Sequence, residues 1–564
     1  MKNNQKEISP LQRFWLLMKP DLKEVRNIYV YAIFAGLVSL TLPLGVQATV
    51  NLIQSGEVSA SWVVLVIIVV AGVVANGVLQ VAQLRLTENI RQKIFVRAAF
   101  GFAYRIPRLR FEILFRQYVP ELANRFFDTL TLQKGLSKIL VDFSAACLQV
   151  FFGLALLSLY HPVFIIYGIV LLVFLVVMAK MTGKKGYEAS MKVSKQKYKL
   201  AHWLQELSRS AMTFKFASPD TYELRRTDEY SEAYIKDRES YFSILINQYW
   251  LMILFKALVT AGLLALGGLM VINKLMNIGQ FIAAEIIIVL VINSVEKIIS
   301  SLDTIYDVLT ALSKISQLTD LEIEGTEGEE LKTLDKGGKG MDVELRDVSF
   351  TYPGHKDKTL SGVSMSLAAG ERVLVTGKRP LKSALLQMVA DLYRPQEGCV
   401  AYHGVPEPNL TSKSIRLLVG GVFEQQRIFE GTFMENVTMG NRDLGMKEVS
   451  ALVSLLKLDT YVNALPEGYN TVLKPNGGKL PRNVVTKILI ARAIAKKPSL
   501  MIMDGGLESL QAQEREEIVK YMTAPERNWS LLVFSEKEYW KDHMDRKIQV
   551  DKKSVIELPL EGND

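Results

Sequence analysis

The sequence predicts a helical membrane domain of six transmembrane helices followed by a C-terminal α/β domain. Of the 564 residues, 49% are hydrophobic, and the apolar residues gather in the first half of the chain. Runs at about 28–50, 61–83, 139–160, 162–182, 248–272 and 279–300 each approach the roughly 20 residues that cross a hydrocarbon core. From Met341 onward, short apolar runs alternate with amphipathic ones, the pattern of strands and helices in an α/β domain.

Residues 1–26 precede the first span. "MKNNQKEISPLQRFWLLMKPDLKEVR" has no small-residue cleavage site, so it does not read as a removable signal. Trp15, Leu16 and Leu17 beside Arg13 and Lys19 suit a helix lying along the inner lipid interface. The connection between spans 2 and 3 carries Arg91, Lys93, Arg97, Arg105, Arg108 and Arg110. That between spans 4 and 5 carries Lys184, Lys185, Lys192 and Lys195, whereas "NLIQSGEVSAS" after span 1 has no basic residue. Basic connections stay inside, so the amino terminus and the α/β domain are expected in the cytoplasm of a cell whose bacterial cytoplasmic membrane holds the chain. The formal net charge of +9 follows from this topology, and no nucleic-acid partner is expected. Cys147 and Cys399 give neither a disulfide framework nor a metal-ligand spacing.

The sixth span, "FIAAEIIIVLVINSVEKIIS", carries Glu285, Glu296 and Lys297. Glu285 falls about seven residues, or roughly 10 Å, into the span. An ionisable group there is a site candidate by default; the equal alternative is a carboxylate facing an outward water-filled cavity or bonded to a neighbouring helix. Lys256 in span 5 is expected near the inner interface, where its stem can snorkel. Its depth differs too much from that of Glu285 for the two to be assumed a pair.

The inside connections are long and the outside ones near 160 and 275 short, which predicts helices projecting well beyond the membrane. "KKGYEASMKVSKQKYKLAHWLQELSRSAMTFKF" reads as one continuing helix, with a turn at Pro219-Asp220 and a second polar helix up to about Asn247. The membrane domain is thus bounded at 27–320. Residues 321–340, with "EIEGTEGEELKTLDKGGKG", form a Gly-rich acidic linker, and 341–564 form the α/β domain. In that domain "DVELRDVSF", "ERVLVTG" and "SLMIMD" read as strands, and "KSALLQMVADLY" and "KILIARAIAKK" as helices.

One stretch, "VTGKRPLKSALL", stands between a buried strand and a helix, where a phosphate loop belongs, and ends in the Lys382-Ser383 pair such a loop needs. With the runs "VSFTYPG", "RIFEGTFMENV", "ALPEGYNTVL", "ARAIAKKPSLMIMD" and "DRKIQV", in order and at about the right spacing, nearly the whole chain resembles an ABC exporter half-transporter. The resemblance implies ATP and magnesium as ligands and a homodimer, or a heterodimer with another ABC half-transporter. "LTLPLGVQATVNLI" resembles the protein-secreting branch of these exporters, which implies secretion-complex partners.

The implied roles transfer residue by residue. Tyr352 matches the aromatic residue that stacks on adenine; its plainer reading is a half-exposed strand tyrosine. In the phosphate loop the three glycines match Thr376, Arg379 and Leu381, with Gly377 able to serve as the first in a loop one residue shorter. Pro380 has no N–H to offer, and Leu381 has a side chain where close approach is needed. Lys382 and Ser383 retain the residues for phosphate and magnesium, and Asp504 retains the acid that helps hold magnesium. The glutamate that polarises the attacking water is replaced by Gly505, with Glu508 three residues farther on as a poor substitute.

Beyond these, the signature that contacts the opposite subunit's ATP matches Leu480, Pro481, Arg482, Asn483 and Val484, of which only the leucine is retained. Gly477-Gly478 upstream read as a loop turn rather than a displaced signature. The switch histidine matches Glu536, an acid that would repel phosphate. The metal-linking glutamine matches Glu424, with Gln425 and Gln426 adjacent, the mildest change of the set because a carboxylate can ligate magnesium.

Such a chain is expected to bind ATP and magnesium weakly at most and to lack ATP hydrolysis of its own. Three readings follow: a catalytically impaired subunit of an export complex with a competent partner, a non-transporting membrane scaffold or regulator on the exporter fold, or a homodimeric exporter with weak nucleotide use.

Overall fold

The computed structural model describes residues 8–55, 60–217, 221–331, 339–424, 426–474 and 480–559. Pro219-Asp220, Gln425 and Gly477-Gly478 lie outside them. The chain divides into two compact units, Met1–Pro107 with Tyr118–Leu321, and Arg108–Gln117 with Glu322–Asp564.

The first unit is helical. Five segments are long and apolar enough to cross a membrane: Pro10–Gln54, Ala60–Arg108, Val119–Tyr160, Tyr222–Ile272 and Ile278–Thr319. The fourth expected span opens the helix Val163–Arg209, with its described apolar stretch at Val163–Phe174. The chain is therefore an integral membrane protein. Helix α1 (Ala60–Arg105) turns Val63, Val64, Ile67, Val70, Val74 and Val78 outward, a surface that only lipid would solvate well.

Helix α2 (Val163–Arg209) runs unbroken through Gly186, where an added Cβ would stand 2.4 Å from the Tyr306 ring. The glycine permits a close helix crossing and does not end the helix. The expected continuation to Phe216 is interrupted at Ser210, which leaves the helical region, and a short helix Ala211–Ala217 follows. Helix α3 (Tyr222–Ile272) carries the polar hairpin directly into the fifth span with no break near Asn247.

Helix α4 (Ile278–Thr319) is the most enclosed. Ala284, Ile287, Val291, Val295 and Ile299 pack with Phe255, Val259 and Leu263 of α3 in one core. Lys256 does not simply snorkel: its Nζ bonds Glu296 Oε2 at 2.6 Å, joining α3 to α4. Glu285 is exposed on α4 and has no ion-pair partner among the described residues.

The second unit holds two main sheets. Strands β1 (Val343–Phe350), β2 (Leu360–Leu367) and β4 (Glu397–Tyr402) form an antiparallel sheet with the short strand Val405–Pro406. The other sheet has the order β9–β8–β3–β7–β6–β5, from Val555–Leu558, Arg546–Val550, Arg372–Gly377, Ser530–Phe534, Leu500–Met503 and Val419–Val422. All its pairings are parallel except β8 with β9.

Val373, Val375, Leu500, Ile502, Leu532 and Phe534 are at most 3% exposed. Each contributes about 1.5–3 kcal/mol by burial, and a sheet covered on both faces is why these strands read as continuous apolar runs. The segment Arg108–Gln117 belongs to this unit because Leu109 bridges Ile323 and Phe111 sets its ring edge-on to Tyr393 at 5.1 Å.

Candidate functional site

Parallel strands align their carboxyl ends, and the crevice beyond those ends is where open α/β sheets bind ligands. Here that edge assembles Gly377 at the end of β3, Asp504 after β6, Glu536 after β7 and Glu424 after β5. Helix α5 (Arg379–Val389) starts directly beyond Gly377, with Lys378 as its N-cap and Pro380 in its first turn.

The local sequence explains the shape of the loop. Leu381, Ala384, Leu385 and Met388 recur at helical spacing and are all buried, so the hydrophobic face of α5 begins at Leu381. Leu381 is 9% exposed and points into the core, which corrects the expectation that its side chain would crowd the loop. The obstacle lies in the backbone. The N–H groups of Leu381 and Lys382 both donate to the Lys378 carbonyl, at 3.0 and 3.1 Å, and Pro380 has none. Gly377, at φ 124°, retains a conformation that glycine alone adopts readily.

Two further donors are engaged by one carboxylate of the same domain. Glu536 Oε1 accepts from the Lys382 Nζ at 2.6 Å and from the Gly377 N–H at 2.9 Å. Glu424 is paired with Arg379, the residue at the middle glycine's place, rather than standing free toward a metal. Burial, then the neighbouring Glu424, pushes the Asp504 carboxyl up from its ordinary value, so without a cation its charge is disfavoured. Ser383 is partly buried on the first turns of α5.

At the catalytic position Gly505 has φ 60° and Gly506 φ 86°. Glu508 turns back to accept from the Gly506 N–H at 3.0 Å, which occupies its carboxylate locally.

Tyr352 is held in an aromatic cluster. Phe115 stacks on it at 6.1 Å and 27°, Phe350 and Tyr393 meet it edge-on at 4.9 and 5.9 Å, and its hydroxyl donates to Gln387 Oε1 at 3.0 Å. Burial pushes that hydroxyl up to about 12. Phe115 is not predictable as a partner from local pattern, since about 240 residues separate the rings and only the fold joins them.

The signature positions open helix α6 (Arg482–Ala495). Pro481 is its N-cap without a side-chain cap bond, Arg482 is exposed, Asn483 is half-buried, and Leu480 and Val484 contribute to the core below. A cation at a helix amino terminus opposes the macrodipole. Asn436, inside the "FEGTFMEN" run, is fully buried; its amide donates to the carbonyls of Phe429 and Thr432 at 3.0 and 3.1 Å and fixes the turn after Glu424. An Asn in a well-patterned run is a signal that could have been followed.

Comparison with known proteins agrees with this architecture. Residues 360–507 match the ABC transporter family. YfiB of Bacillus subtilis (strain 168), described as an uncharacterized ABC transporter ATP-binding protein, is 30% identical over 202 residues, 36% of this chain and 35% of its own length. An ATP-dependent lipid A-core flippase of Desulfotalea psychrophila is 22% identical over 513 residues, 88% of each chain. A bacterial Atm1-family ABC exporter solved with ATP bound superposes with a TM-score of 0.81 at 17% identity, covering 95% of both chains. The match to YfiB spans about a third of that relative's length; the family match at 360–507 speaks for the ATP-binding domain, and the superposition speaks for the fold of the whole.

Proposed function

Because this chain joins an ABC transporter domain to a membrane domain of exporter fold, we propose that it is a subunit of an ABC-type membrane exporter whose own ATP site is catalytically impaired and which acts with a competent partner chain. ATP and magnesium are ligands of ABC transporter domains in general, and such half-transporter folds generally dimerise. In this chain Lys382, Ser383 and Asp504 are the residues that would hold phosphate and metal, and binding there is weak.

One observation carries the reading. Beside Asp504 stands Gly505, without a carboxylate to orient water, and the nearby Glu508 is bonded back to the Gly506 N–H. General-base assistance contributes typically 10²–10⁴-fold to a rate, so its loss alone takes hydrolysis far below that of a competent site. The basic connections between spans support a cytoplasmic amino terminus and α/β domain, in the bacterial cytoplasmic membrane.

The test is purification of the chain with and without a competent half-transporter. Hydrolysis is expected only in the mixed complex, and it should survive Lys382→Ala in this chain. A scaffold without transport would give a stable complex in which the partner's hydrolysis and substrate movement are unchanged when this chain is removed.

A further inference from the structure

Resting on the reading above, and deepening it, we infer that Glu536 is a built-in anionic ligand of the loop after β3. Its carboxylate takes the donors that would receive a phosphate and decides whether the cradle accepts an external anion. The geometry is that of an occupied anion site. One oxygen, Oε1, receives both the Lys382 ammonium at 2.6 Å and the Gly377 N–H at 2.9 Å. The Lys382 side chain is only 12% exposed, so water reaches its ammonium little and Glu536 is its ion-pair partner, whereas Glu536 remains 58% exposed at the rim.

Several of the neighbouring groups are engaged as well. The Leu381 and Lys382 N–H groups close the first turn of α5 on Lys378, Pro380 has no N–H, and Arg379 is paired with Glu424. A phosphate would have to displace a carboxylate tethered two residues beyond β7, at an effective concentration on the order of millimolar or higher. It would then remain next to that displaced charge. With Glu536 neutralised, the Lys382 ammonium and the Gly377 N–H become a free pair of donors that can bind a phosphate oxygen by charge-assisted hydrogen bonds. Because these donors read phosphate oxygens, the opened site should take pyrophosphate as well as ATP.

The experiment uses the full chain in detergent or nanodiscs, with ATP and inorganic pyrophosphate as separate probes in binding titrations. Wild type, Glu536→Gln, Glu536→Ala and the double variant Glu536→Gln with Lys382→Ala are compared, and thermal unfolding checks that each is folded. Glu536→Gln keeps the size of the side chain, so it reports even if the alanine variant does not fold. The expected result is at least a tenfold gain in affinity for both probes on removing the carboxylate, abolished when Lys382 is also lost. An unchanged affinity, a gain that survives loss of Lys382, or a gain confined to ATP would overturn the inference. Hydrolysis by the wild-type chain would instead overturn the functional reading, so the two failures are distinguishable.

Discussion

Arg492 closes on Asn436 from α6: its Nη2 donates to Asn436 Oδ1 at 3.1 Å and its Nε to the Asn436 carbonyl at 2.8 Å. The same asparagine oxygen accepts from the Phe429 N–H at 3.1 Å, and Arg492 Nη1 reaches the Arg427 carbonyl at 3.2 Å. Two separate stretches, the "FEGTFMEN" run and the helix after the signature positions, are thereby fastened into one piece. This gives the retained sequence there a structural reason that does not depend on ATP turnover.

Asn436→Ala leaves the Phe429 N–H, the Phe429 and Thr432 carbonyls and one Arg492 N–H without the partner they have inside the protein. Each unsatisfied group costs about 1–3 kcal/mol, so with partial relaxation the variant should lose about 2–4 kcal/mol. Denaturant unfolding of the purified chain, followed by the fluorescence of Trp529 and Trp540 in this unit, measures it. A loss below about 1 kcal/mol would show that the junction is not fastened in this way.

The α/β unit should be more stable in mild acid than in mild base. Glu407 is 4% exposed and accepts from the Val400 N–H at 2.8 Å, and burial pushes its carboxyl up to about 7. Between its ordinary value of 4.5 and about 7 the folded state holds a proton that the unfolded state has released, so stability falls as pH rises through that window. At about 1.4 kcal/mol per pH unit of displacement the total is on the order of 3 kcal/mol. Glu407→Gln should flatten the profile between pH 5 and 8 and raise the stability at pH 8; a profile identical to wild type would count against this assignment.

The Lys256–Glu296 pair joins two helices of the membrane unit. Losing Lys256 leaves the Glu296 carboxylate without its partner on α3; for a partly exposed pair this is worth about 1 kcal/mol, so Lys256→Met should destabilise by about that much, and the reversed pair Lys256→Glu with Glu296→Lys should recover most of it. Thermal unfolding in nanodiscs compares the three. Equal losses in the single variant and the reversed pair would mean that the contact contributes nothing.

Gly505 tests whether a lost carboxylate can simply be restored. An added Cβ would meet only the Glu508 carboxylate, at 3.4 and 3.8 Å, which is ordinary contact. The cost is therefore in the backbone, since φ 60° disfavours L-residues by about 1–2 kcal/mol. Gly505→Glu should lower stability by that amount and yield no ATP hydrolysis, because Pro380, Arg482 and Glu536 remain. Hydrolysis comparable to that of an ordinary exporter in this single variant would refute the idea that several parts of the site are altered together.

Much of this was legible in local pattern. The strand, glycine and helix around 372–389 follow from an apolar run, a residue free to adopt positive φ, and leucines at helical spacing; the resemblance then located Asp504 and Glu536. What could not be read were relations made by the fold. The sequence marked Glu536 as a repulsive acid, but its bond to Lys382, 154 positions away, appears only when β7 and β3 lie side by side. Phe115 on Tyr352 and Lys256 on Glu296 are of the same kind. The burial of Leu381 is set by the hydrophobic face of α5, which the phosphate-loop pattern alone does not show.

The central claim is that this chain alone does not turn over ATP. Steady-state phosphate release by the purified chain in nanodiscs, with magnesium and saturating ATP and with Lys382→Ala beside it, tests that most directly. The account predicts rates indistinguishable between the two and from protein-free nanodiscs; turnover at about 1 s⁻¹ or faster, abolished by Lys382→Ala, would contradict it.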